Sequence, residues 1–142
     1  MKFCEVSEDD NSTFVVVEHK GQYFYGESTV SPEDKDYQSK IFGGRLAEAR
    51  AEREAMKYEL AEARKELHTL DNLLKACSNT KRFDAGEDSA KVLFRQYNVK
   101  KKQVAELKAE VDFLKKGIDR IIENRDKYIK KLKKARAKAD KE

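Results

Sequence analysis

Asp84 and Glu87 stand three residues apart between two long helical runs of a 142-residue chain. Read from the residues alone, that spacing makes a capping box, in which the Asp side chain accepts from the backbone of Glu87 and Glu87 reaches back. Lys81, Arg82 and Phe83 lead into the pair and give it cationic and aromatic neighbours. The rest of the chain offers little else for catalysis. His19 and His68 are the only histidines and fall on different elements. No Cys/His cluster has metal-ligand spacing. No Ser–His–acid or Cys–His set gathers at one place, and no Gly-rich phosphate loop occurs. These residues predict a non-catalytic protein with no cofactor and no metal.

The elements that must carry the pair are two heptad ladders, broken once near residues 78–88. In the first, Leu46, Leu60, Leu67 and Leu74 fall on a seven-residue repeat, with Arg53 as the one polar rung. Phe42, Ala49, Met56, Ala63, Leu70 and Cys77 interleave with them. The second ladder reads Ala90, Tyr97, Val104, Val111, Ile118, Arg125, Leu132 and Ala139. Leu93, Lys100, Leu107, Leu114, Ile121, Tyr128 and Ala135 interleave with that one. Alternating steps of three and four at this length predict a coiled-coil seam. A break of about ten residues returns the chain as an antiparallel helical hairpin. If Cys77 faces Ala90, residue numbers in facing layers sum to 167. Leu60 then meets Leu107, Met56 meets Val111 and Leu46 meets Ile121, each an a position against a d position.

Composition agrees with solvated helices. Charged residues make up 41% of the chain and Trp is absent, so a large globular core cannot form. No run approaches the roughly 18 apolar residues of a membrane span. The first ten residues turn acidic where a signal peptide would need an apolar run. A soluble, cytoplasmic protein is expected. Cys4 and Cys77 are expected to lie about 50 Å apart at a rise of 1.5 Å per residue, too far to pair within one chain. Charge is uneven. Residues 1–42 carry four basic and nine acidic side chains, net −5. Residues 43–88 carry nine and ten, net −1, and residues 89–142 carry eighteen and eight, net +10. The acidic head and the basic final helix should therefore attract.

Thr13–His19 and Gln22–Val30 predict a β-hairpin around Lys20-Gly21, since β-branched and aromatic residues flank a two-residue turn ending in Gly. Met1–Val6 could supply a third strand, which a lone ribbon needs for stability. Ile129, Leu132 and Ala135 are the expected floor for Phe14, Val16, Phe24 and Val30. Ser31-Pro32 predicts the start of a short lead-in helix. Gly43-Gly44 then predicts a bend, because two adjacent glycines cost about 1–2 kcal/mol in a helix interior. The expected division is a β cap with its lead-in over 1–38 and a helical hairpin over 39–142. Helix 1 should span about 39–78, the tip 79–86 and helix 2 about 87–140.

Val92, Val99 and Phe113 lie off the seam on one line of helix 2, and Phe94, Ile122 and Ile129 on another. An extra apolar stripe on a coiled coil marks a partner or self-association. The lysine-rich end of helix 2 could instead bind nucleic acid weakly and in a salt-sensitive way.

Two resemblances sharpen this. Arg82-Phe83-Asp84-Ala85-Gly86-Glu87-Asp88-Ser89-Ala90 resembles the acidic tip of Gre-type transcript-cleavage factors. Their hairpins enter the secondary channel of bacterial RNA polymerase, and the resemblance implies that Asp84 and Glu87 would act on a metal held there. In that family the β part follows the hairpin, whereas here it precedes it. Pro32-Glu33-Asp34 and Gly44-x-Leu46-Ala47-x-x-Arg50-Ala51, following a β-hairpin, are similar to small phage and prophage accessory proteins. That resemblance implies a phage-encoded inhibitor or modulator acting in a bacterial host cell. The reading adopted is a mainly α protein, a long antiparallel coiled-coil hairpin with a small N-terminal β cap, which binds a protein partner. Its predicted contacts are Lys81, Arg82, Phe83, Asp84, Glu87, Val92, Val99 and Phe113. The polymerase-channel and nucleic-acid readings stand as alternatives, and a homodimer is open.

Overall fold

The structure is a computed structural model that describes residues 1–8, 12–30, 40–79 and 86–141. Three strands come first: β1 (Lys2–Glu8), β2 (Ser12–His19) and β3 (Gln22–Thr29). Two long helices follow, α1 (Lys40–Asn79) and α2 (Gly86–Lys141). The fold is mainly helical, an antiparallel helical hairpin with a small antiparallel sheet at its N-terminal end. The short lead-in helix expected after Ser31 lies outside the described residues.

The strand order is β1-β2-β3, with β2 in the centre. Lys20 (φ 51°) and Gly21 (φ 77°) both take positive φ, which is the two-residue turn that matches strand twist. His19 therefore pairs with Gln22, and the register continues through Val17↔Phe24, Val15↔Gly26 and Thr13↔Ser28. β1 pairs with β2 through a bulge between Phe3 and Glu5.

The chain forms two compact units. One comprises Met1–Ala55 with Asp112–Glu142, the other Met56–Val111. In the first, Val15 and Val17 of the sheet are buried with Ala47, Ala51 and Ala55 of α1, and Phe24 packs against them. This corrects the expected floor of Ile129, Leu132 and Ala135. Ala135 is exposed, and Phe14 stands on the other face of the sheet at 36% exposure. The cause is Gly26. A Cβ there would overlap the carbonyl oxygen of Ala47 and come within 2.5 Å of the amide nitrogen of Ala51. Strand alternation then puts Gly26 and its partner Val15 on the face toward the helix, and Phe14 and Val16 away from it.

The adjacent glycines Gly43-Gly44 do not end a helix, because α1 runs through both residues. Sheet packing outweighs propensity here: a Cβ on Gly43 would stand 3.1 Å from Thr13 Oγ1, so glycine gives the sheet room. Thr13 and Ser28 are buried opposite each other beside it. Leu46, fully buried, anchors α1 in this unit, and the rings of Phe42 and Tyr128 meet at 5.4 Å and 49°.

In the Met56–Val111 unit the buried residues are Met56, Leu60, Ala63, Leu107 and Val111. These belong to the two ladders, and Met56/Val111 and Leu60/Leu107 are pairs of the expected register. Lys100, a polar rung of the second ladder, forms an ion pair with Glu66 of α1. Toward the helix ends of this unit Leu67, Leu70, Leu74, Leu93 and Tyr97 are half-buried, as a two-stranded coil without further layers must leave them.

Candidate partner-binding site

The chemistry that survives folding collects at the outer edge of β3. Nothing pairs with this strand on its far side among the described residues. The turn fixes which backbone groups are left over. In the pairs Val17↔Phe24 and Val15↔Gly26 both residues bond across the ladder, so Tyr23, Tyr25 and Glu27 direct their N–H and C=O groups to the open edge. One of these groups is already engaged: Arg50 Nη1 donates to the carbonyl oxygen of Glu27 at 2.7 Å. The side chains of Tyr23 and Tyr25 are 67% and 69% exposed, side by side on the sheet face turned away from α1.

Beside this edge lies an open recess of about 500 Å³, with Tyr23, Tyr25, Arg50, Arg53, Glu54 and Ile118 among its lining residues. Arg50 and Arg53 project from α1 one turn apart. Burial pulls the Arg50 guanidinium below its ordinary value, the charge of Arg125 pulls it further, and Glu27 opposes both. The Glu27 carboxylate accepts from the Thr29 hydroxyl at 3.1 Å. Arg53 occupies a seam position. Its Nε is buried and finds no hydrogen-bond acceptor among the described residues.

A second recess, also about 500 Å³, is lined by Lys131, Lys134, Ala135, Ala137, Lys138 and Lys141 near the end of α2. Its four lysines follow a helical spacing and offer a point-charge surface suited to phosphates. Among the described residues no group of three or more His, Cys, Asp or Glu side chains could hold a metal ion. No described helix is long and apolar enough to cross a membrane.

Of the residues expected to contact a partner, Lys81, Arg82, Phe83 and Asp84 lie outside the described residues, and Glu87 falls in the first turn of α2. Val92 and Val99 are 52% and 69% exposed in the Met56–Val111 unit, together with Phe94. Phe113, in the other unit, is 66% exposed. On the second expected line Ile122 is half-buried and Ile129 buried, so those two side chains belong to the fold. The β3 edge and its arginine recess were not among the expected sites. Two signals pointed there: an Arg at a seam position, and small residues repeating every four at Ala47, Ala51 and Ala55. The second lets a sheet edge come close to a helix. No protein-family model, no curated protein and no solved structure matches the chain.

Proposed function

We propose that the chain is a non-catalytic protein-binding module that receives a segment of its partner along the free edge of β3. The supporting observation is the open strand edge bearing two exposed tyrosines. Main-chain groups there await hydrogen bonds, and an added strand supplies them while side-chain pockets select its sequence. Tyr is among the residues that dominate binding energy when covered, because its ring buries much area at small entropic cost. Val92 and Val99 extend the same reading to α2, as surfaces that a partner covers. We extend the proposal, on the resemblance read from Pro32-Glu33-Asp34 and Gly44 to Ala51 alone, to an inhibitor or modulator of a host or defence protein.

The test is capture from bacterial lysate by the whole chain, compared with the Tyr23→Thr/Tyr25→Thr variant. Thr keeps the strand preference, and circular dichroism confirms folding. A captured protein that the variant loses supports the proposal. Capture that is equal for both chains contradicts it. Material released by nuclease or by moderate salt assigns the binding to the lysine recess and to nucleic acid instead. Polymerase subunits among the captured proteins would favour the channel reading, and an immune effector the inhibitor reading.

A further inference from the structure

We infer that the recess beside β3 takes a carboxylate side chain from an extended, acidic segment of the protein partner, held by Arg50 and Arg53. This rests on the strand-edge reading above and adds the chemistry of the ligand.

Three observations carry it. First, the open edge and the recess share the same residues, Tyr23 and Tyr25, so a strand laid on the edge runs along the mouth of the recess. In such a strand alternate side chains point the same way. Every second residue of the incoming segment therefore faces one side.

Second, Arg53 stands where the ladder otherwise places Leu. Its Nε is shielded and finds no acceptor among the described residues, while the half-buried side chain lines the open recess, so the outer guanidinium nitrogens are what an incoming carboxylate meets. Arg also binds a carboxylate by a two-pronged fork, which a Lys cannot do.

Third, Arg50 is partly desolvated and placed near a second positive charge, Arg125. Arg50 donates to the neutral carbonyl of Glu27, while the Glu27 carboxylate turns to Thr29. An anion arriving beside Arg50 is opposed by Glu27 and Glu54, which limits the site to one carboxylate held in close geometry. A polyanion such as nucleic acid would meet both acids along its length. The lysine recess lacks such acids among its lining residues and is the better match for phosphates.

The experiment uses the full chain and a displayed library of random segments about ten residues long. Selected peptides are synthesised with each acidic residue also changed to its amide. The expected result is enrichment of segments that combine strand-forming residues with Asp or Glu at one fixed place. Binding should fall at least about tenfold on acid-to-amide exchange, the effect of one charge-assisted hydrogen bond. It should fall equally for Arg53→Leu. Arg53→Leu places an apolar side chain at a seam position, and a thermal melt of the variant followed by circular dichroism confirms that it folds, so lost binding is read apart from unfolding. Arg50→Gln should weaken the same peptides.

Peptides that need Tyr23 and Tyr25 but tolerate the amide exchange, or bind Arg53→Leu undiminished, overturn the acidic-ligand inference and leave the strand-edge reading standing. Selection yielding no peptide dependent on Tyr23 and Tyr25 overturns both. A concentration-dependent dimer in sedimentation, abolished by Tyr23→Thr/Tyr25→Thr, also overturns the inference, because a second copy would then occupy the edge.

Discussion

Gly26→Val is expected to destabilise the chain by about 3 kcal/mol or more. The valine Cβ alone would overlap the Ala47 carbonyl oxygen, and it would stand 2.5 Å from the Ala51 nitrogen. Both atoms are helix backbone, which cannot rotate aside as a side chain would. The strand must lift off the helix, separating Val15 and Val17 from Ala47, Ala51 and Ala55. Ordinary overpacking costs about 1–3 kcal/mol, and rigid neighbours place this change at or above the top of that range. Denaturant unfolding measures it as a lowered midpoint. A loss below about 1 kcal/mol would mean that the sheet does not rest on these alanines.

Leu46→Ala is expected to cost about 3 kcal/mol, within the range found when a buried leucine is truncated and its cavity only partly collapses. Leu46 is fully buried, and the surrounding helix has small residues that cannot swing in to refill the space. Leu73→Ala is the matching control. Leu73 belongs to neither ladder and is 46% exposed, so its truncation should cost less than about 0.5 kcal/mol. The contrast is read from two denaturation curves. Equal losses at the two positions would show that the heptad ladder is not the buried face.

The seam was legible because a seven-residue repeat survives wherever two helices must share an apolar face. Met56, Leu60, Leu107 and Val111 are buried on the ladders that their spacing defines. The β-hairpin was legible from Lys20-Gly21 between β-branched runs. The face by which the sheet docks was not. Both faces of β2 are apolar, Phe14 and Val16 against Val15 and Val17, and size favoured the wrong one. Gly26 decides the matter, since no other residue type lets β3 approach the α1 backbone so closely. Its meaning depends on a helix some twenty residues away in the chain. Gly43-Gly44 shows the converse, since the helix continues through both. Local propensity breaks a helix there, whereas tertiary packing needs the missing Cβ next to Thr13.

Of the candidate site, Val92, Val99 and Phe113 were readable as exposed apolars off the seam, and they are exposed. The arginine recess was half readable. Arg53 stood out as a polar rung, but the periodicity of α1 gives no hint that a strand edge lies alongside. Such a site depends on which strand ends the sheet, and pairing order is a long-range property.

Residue-resolved amide hydrogen exchange on the intact chain tests most directly the claim that β3 offers an open edge. The N–H groups of Phe24, Gly26 and Ser28 bond to β2 in this register, while those of Tyr23 and Tyr25 point outward. Slow exchange at Phe24, Gly26 and Ser28, alternating with fast exchange at Tyr23 and Tyr25, is the predicted result. Tyr23 and Tyr25 protected as strongly as their neighbours would mean that the edge is already covered, and the account would be wrong.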